Sequence, residues 1–184
     1  MSQKIVKKPG MDAYSQQIKQ FVAAIPELKA VKVISAKKII VDDKKAATVV
    51  FIPLRMMRVF RAKFEEYVAT LEKKIGNPVF IIGKRVVAHT KKVGQSGKVE
   101  YKPRSRTSKA VHQAYMSEML YPVEVAGQRT HVTISNKKVN NAKTVFLDCE
   151  DKMKQQLKAK LPVFSAVYKG ITGEKVKFAF PVVA

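Results

Sequence analysis

The chain has 184 residues, with 36 Lys and Arg against 14 Asp and Glu, a formal net charge of +22, yet 46% of it is hydrophobic. That apolar share is enough for a core and excludes wholesale disorder, while self-repulsion of this size disfavours an isolated compact state and makes nucleic acid the default partner, ahead of an anionic membrane surface. A single cysteine, Cys149, excludes an internal disulfide or a cysteine-based zinc site and fits a reducing compartment.

No apolar run approaches the ~18 residues that span a bilayer, and residues 1–10 carry no apolar signal-peptide core, so a soluble, unsecreted chain is expected. Residues 1–11, with Lys4, Lys7, Lys8, Pro9 and Gly10, form a basic arm. Asp12 can cap a helix in which Tyr14, Ile18, Phe21, Val22 and Ile25 recur at helical spacing up to Pro26. Two strands follow, 31–41 and 46–52, joined as an antiparallel hairpin by Asp42-Asp43-Lys44-Lys45.

Pro53 suits a first helical position, and one helix is predicted from Leu54 to Ile75. Its seam is Met57, Phe60, Phe64, Tyr67, Val68, Leu71 and Ile75, and it stops at Gly76-Asn77-Pro78. Val79 to Ile82 is a short apolar strand, reached by what should be a right-handed parallel crossover. From 84 to 106 the pattern dissolves into a long basic loop: Lys84, Arg85, Lys91, Lys92, Lys98, Lys102, Arg104 and Arg106 against the single acid Glu100.

Thr107 or Ser108 then caps a helix with Val111, Tyr115, Met116, Met119 and Leu120 on one side, closed by Pro122. Residues 123–147 read as two or three short strands forming a projecting β-hairpin, with turns at Gly127-Gln128 and Asn136-Lys137-Lys138. Asp148 caps a last helix bearing Met153, Leu157, Leu161, Phe164, Val167 and Tyr168. Pro162 should kink it or begin a second helix, and Gly170 and Gly173 should end it. Val176, Phe178 and Phe180 alternate as a final strand. There is no internal sequence repeat and no linker. The expectation is one α/β (α+β) domain over 12–184, a mixed β-sheet flanked by helices, with basic loop 84–106 and the hairpin region 123–147.

Three stretches offer cations to a polyanion. In Lys102-Pro-Arg-Ser-Arg-Thr107 the proline stiffens the chain, Arg104 and Arg106 present forked donors, and a helix N-terminus follows. Together these read as a phosphate clamp specific for backbone and shape. Arg55, Arg58 and Arg61 recur every three residues where cations oppose the helix dipole, so they face either a bound polyanion or Glu65 along the helix. Arg129, His131, Lys137, Lys138 and Lys143, with Asn140 and Asn141 and no intervening acid, suit either a basic ribbon on RNA or an ordinary polar face.

Gly170-Ile-Thr-Gly173 matches a nucleotide-clamping G-x-x-G loop only superficially, since it lies between a helix and a strand. Phe178 and Phe180 read as core and not as base-stacking residues. Three scattered histidines and two small acid clusters give no metal or nucleophile constellation, so no enzyme and no cofactor are expected.

The run from Lys102 to Thr107, continued by Ala110-Val-His112, Tyr121-Pro122 and Val125-Ala-Gly-Gln-Arg129, resembles the eukaryote-specific family of the seventh protein of the small ribosomal subunit. The tail is similar too, in Phe164-Ser-Ala-Val-Tyr168, Thr172-Gly173 and Val176-Lys-Phe-Ala-Phe-Pro181. The resemblance runs from about residue 31, strongest over 102–181. It implies a small α/β protein bound to 18S-type small-subunit rRNA among neighbouring small-subunit proteins, without catalysis, homo-oligomer or membrane. It also implies residence in the cytoplasmic ribosome after nucleolar assembly and precursor-RNA processing. The chain departs from the family in a less densely basic 84–106 loop and in Pro162. A free-standing RNA-binding assembly factor or protein-interaction module is the alternative reading.

Overall fold

The computed structural model describes residues 13–25, 31–42, 45–88, 92–93, 98–99, 103–135 and 138–181. The basic arm, the Asp12 cap and the Asp43-Lys44 turn lie outside them.

Helix α1 (Ala13–Ala23) precedes a hairpin of β1 (Ser35–Asp42) and β2 (Lys45–Pro53), in which Ser35 pairs with Phe51 and Asp42 with Lys45. Strand β3 (Val79–Lys84) lies parallel to β2, with Thr48 opposite Val79 and Pro53 opposite Lys84. Because side chains alternate across a sheet, the continuous burial of 47–52 means that both faces are covered. Val50, Ile52, Val79 and Ile81 join α1 in one core, while Val49, Phe51, Phe80 and Ile82 join a second.

The predicted 54–75 helix is not continuous. A 3-10 turn (Leu54–Met56) leads into α2 (Met57–Ala62), and α3 (Phe64–Ile75) begins afresh after Lys63, whose backbone leaves helical geometry at φ −135° and ψ 48°. The charges suit two helices: Arg61 sits in the last turn of α2, and Glu65 and Glu66 in the first turn of α3, each at its favourable dipole end. The break leaves the Phe64 ring edge-to-face with Tyr121, centroids 4.9 Å apart. Gly76 ends α3 as expected, in the left-handed region at φ 75°.

Inside the basic segment two short strands, β4 (Lys92–Val93) and β5 (Lys98–Val99), pair antiparallel. A 3-10 turn (Arg104–Arg106) then leads to α4 (Ser108–Leu120), capped by Thr107, whose hydroxyl accepts from the Ala110 N–H at 3.4 Å.

The region 123–147 holds two long strands, β6 (Glu124–Ser135) and β7 (Lys138–Asp148), where several short ones were expected. Gly127-Gln128 is no turn. Val125 pairs with Leu147 and Gly127 with Phe146, so Ala126 is the extra residue of a bulge within β6. Asp148 stays in the sheet opposite Glu124, and the residue before α5 (Asp151–Thr172) is Glu150. Helix α5 passes through Pro162 without a second helix starting there. Pro162 and Lys158, the residue whose carbonyl it cannot serve, are both exposed, so water can take that acceptor.

Gly170 is likewise not a stop: it lies within α5, where a Cβ would come 2.7 Å from Ile39 Cδ1, so the helix rests closely on β1. Gly173 is the stop, at φ 80°, its N–H bonding the Lys169 carbonyl at 2.8 Å. Strand β8 (Val176–Ala179) runs parallel to β7.

Where one mixed sheet was expected there are two, β1-β2-β3 and β6-β7-β8, besides the β4-β5 pair. Each is an antiparallel hairpin followed by a helical crossover to a parallel third strand, so the topology repeats although the sequence does not. Val145 and Leu147 of β7, Val167 and Tyr168 of α5 and the inner face of α4 complete the second core. The whole is one α+β domain.

Burial pushes the Tyr168 phenol up to about 12, with the Glu174 carboxylate adding to the rise. A group that holds its proton more tightly when folded stabilises the fold below its unfolded pKa, near 10, and loses that contribution as pH climbs to the folded value. Unfolding free energy measured by urea titration should therefore fall between pH 10 and 12, and Tyr168→Phe should remove part of that fall; an unchanged slope in the variant would refute the assignment.

Candidate nucleic-acid interface

The foot of the basic segment is built around one buried carboxylate. Glu118 of α4, its side chain 3% exposed, accepts the Gly83 N–H at 2.8 Å through Oε2 and pairs with Arg85 Nη2 at 2.7 Å through Oε1. The Arg85 backbone is held as well: its N–H donates to the Tyr115 hydroxyl at 3.1 Å, and that hydroxyl donates to the Arg85 carbonyl at 2.8 Å. Packing is tight at Gly83, where a Cβ would lie 3.3 Å from Glu118 Oε2 and 3.1 Å from Leu54 Cδ1. The returning 3-10 turn is tied in by the Ala88 N–H, which donates to the Arg106 carbonyl at 3.0 Å.

These ties surround a cleft of about 410 Å³ lined by Leu54, Lys84, Arg85, Val86, Ser105, Arg106 and Val111. Lys84, at the end of β3, is exposed, and its Nζ stands 5.0 Å from the Phe51 ring centroid. Arg104 and Arg106 are both exposed on the 3-10 turn, and Arg106 reaches the cleft. Of the expected clamp, Lys102 lies outside the described residues, as do Lys91 and Lys137. Lys92 and Lys98 are placed by their backbones in β4 and β5, Lys92 opposite Val99 and Lys98 opposite Val93. Arg85, expected among the outward cations, instead directs its guanidinium inward to Glu118.

Arg55 and Arg58 are exposed on the turn and helix that follow β2, adjoining Leu54 in sequence. Arg61, which the periodicity grouped with them, lies over Tyr121, 5.5 Å from the ring centroid. On β6, Arg129 is exposed opposite Thr144, and Lys138 opens β7 opposite Ser135. His131 and Thr133 interact across 3.2 Å, while Val132 and Ile134 point to the other side of the ribbon. His112 meets Glu174 at 3.0 Å, which Lys143 approaches at 4.0 Å. A larger cleft, about 600 Å³, lies between α4 and β6 but carries Arg61 alone as a cation, beside Glu124.

The sequence reading missed Glu118. Its signal was present: with Val111 and Tyr115 it forms an i, i+4, i+7 stripe, an acid standing among core positions of α4.

The site is an α+β scaffold that turns one arginine inward to a buried carboxylate and carries exposed Lys84 and Arg106 at a cleft. Among the described residues no group of three or more His, Cys, Asp or Glu could hold a metal ion, and no helix is long and apolar enough to cross a membrane. The chain belongs to the ribosomal protein S7e family, whose model matches residues 12–180. It is 35% identical over 157 residues to the small ribosomal subunit protein eS7z of Arabidopsis thaliana, covering 85% of this chain and 78% of that one. It is 35% identical over 159 residues to eS7 of Schizosaccharomyces pombe, covering 85% and 77%. It is 30% identical over 187 residues to eS7B of Saccharomyces cerevisiae, covering 97% and 95%.

Removing one partner of a buried ion pair strands the other charge. Arg85→Ala should lower the unfolding free energy by about 3 kcal/mol, whereas replacing both residues, Arg85→Met with Glu118→Leu, should recover only part of the loss, because the buried Gly83 N–H then lacks its acceptor. Chemical denaturation checks both; a single variant as stable as the parent chain would contradict the role given to Glu118.

Proposed function

We propose that this protein is a non-catalytic, structural constituent of the small ribosomal subunit that grips small-subunit rRNA by its phosphate backbone. The observation that carries the reading is the pair of exposed cations Lys84 and Arg106 lining a cleft whose frame is fixed by Glu118, with Arg104 exposed on the same 3-10 turn as Arg106. Membership of the S7e family and the naming of its relatives as small ribosomal subunit proteins support the setting. The +22 charge supports the energetics, because each phosphate neutralised releases a condensed counterion.

In this reading Arg55, Arg58 and Arg129 widen the footprint, and Lys91, Lys92, Lys98, Lys102, Lys137 and Lys138 extend it along the basic segment and the ribbon. Arg85 positions the segment and contributes its charge from behind. The protein works as a monomer among neighbouring small-subunit proteins in the cytoplasmic ribosome. It joins the particle during nucleolar assembly, where it supports rRNA processing, and it acts without a cofactor.

The chain should co-sediment with small subunits at physiological salt, and ribonuclease should release it. A chain found only in the free fraction defeats the reading, and co-sedimentation that survives ribonuclease favours a protein-interaction module. Arg104→Ala with Arg106→Ala should weaken binding to small-subunit rRNA and lower the steepness of its salt dependence by about two phosphate contacts.

A further inference from the structure

We propose that the cleft at the foot of the basic segment is a binding site for one unstacked RNA nucleotide, its base against Leu54 and Val86 and its phosphate between Lys84 and Arg106. The site rests on the rRNA reading above and goes beyond it, since phosphate neutralisation alone requires no apolar walls.

The walls are the unusual feature. Val86 is 73% exposed and Leu54 50% exposed, both large and apolar, in a cleft they share with Lys84, Arg85 and Arg106. Neither is there for want of packing. Leu54 follows Pro53, which carries a φ of −61°, and its side chain rests where Gly83 leaves no Cβ. Val86 follows Arg85, whose backbone N–H and carbonyl are both bonded to the Tyr115 hydroxyl. Between them Val111, 1% exposed, supplies an apolar floor, and the Ala88–Arg106 hydrogen bond fixes the opposite rim. The cleft is thus held open by its frame. Arg85 lines the cleft with its guanidinium held by Glu118.

The chemistry of the lining selects an occupant with a flat apolar face and an anionic group beside it. Double-stranded RNA offers the anion but keeps its base faces stacked inside the helix. An aliphatic protein side chain would cover the walls and leave Lys84 and Arg106 without counter-charge. A nucleotide splayed from a loop or bulge satisfies both, and the exposed Ser105 hydroxyl on the rim can meet its ribose or base edge.

The test uses the full chain with a fluorescent single-stranded RNA oligonucleotide of mixed sequence and a duplex RNA of the same length, read by anisotropy. Leu54→Ser with Val86→Ser should weaken single-strand binding roughly tenfold, the order of one packed base, and change duplex binding by less than about twofold. Val132→Ser with Ile134→Ser, an equally exposed apolar pair on the ribbon, should change neither. Lys84→Ala with Arg106→Ala should weaken both. If the double serine variant loses its fold by circular dichroism, Val86→Ser alone carries the test, with a loss of about threefold on the single strand only.

Equal losses on single strand and duplex, or no loss on the single strand, overturn the nucleotide site while leaving the rRNA reading standing. Failure of the parent chain to bind either RNA overturns both. An acidic leucine-containing peptide that displaces the single strand from the parent chain, and loses this ability against Val86→Ser, overturns the site in favour of a protein ligand.

Discussion

A carboxylate removed from water is tolerated in a protein only when its oxygens are met by donors, and Glu118 meets that requirement with the Gly83 N–H and the Arg85 guanidinium. The geometry at the foot of the basic segment depends on this contact. It joins the end of β3, where the segment departs, to α4, where the segment has returned. It sets a carboxylate against the like charges where the two limbs of the segment meet. The chain carries few acids, and it has placed one of them where it organises cations instead of merely diluting them.

That contact sits between two structural halves. Strand β3 is the last strand of the first hairpin-helix-strand unit, and α4 leads into the second. The central sheet, apolar on both faces, gives the first half a core on each side. The second half closes over one of these faces with α4, α5, Val145 and Leu147. The proposed binding surface therefore grows from the junction of the two units. The long β6-β7 ribbon belongs to the second unit and carries Arg129 and His131 exposed.

Much of this was legible in the sequence because it depends on local physics. The hairpin 35–53, the strand 79–84, the capped helix after Thr107 and the final strand all follow from alternation, helical spacing and capping residues. The failures share a cause. Lys63, Gly127, Asp148 and Gly170 carry strong local signals or none, and their fates were decided by what packs beside them. At Gly170 the neighbour is Ile39, more than a hundred residues away in the chain. The break at Lys63 did leave a trace in the opposed charges of Arg61 and Glu65-Glu66, easily overlooked beside a long apolar seam. The candidate site was half legible: charge counting found the cations, but nothing in a list of arginines distinguishes one that pairs with a buried Glu118 from one that faces outward. The exposed Leu54 and Val86 were invisible for the opposite reason, since an apolar residue in a sequence is taken for core.

The Ala88–Arg106 hydrogen bond and the Arg85–Glu118 pair together work as a clasp that closes the basic segment before its tip begins. Once the ends of a chain segment are pinned, changing the length between them costs little, about 0.6 kcal/mol of closure entropy for each doubling. A change of length between positions 89 and 102 should thus leave both cores undisturbed. The clasp fixes where the segment leaves the domain and where it rejoins it.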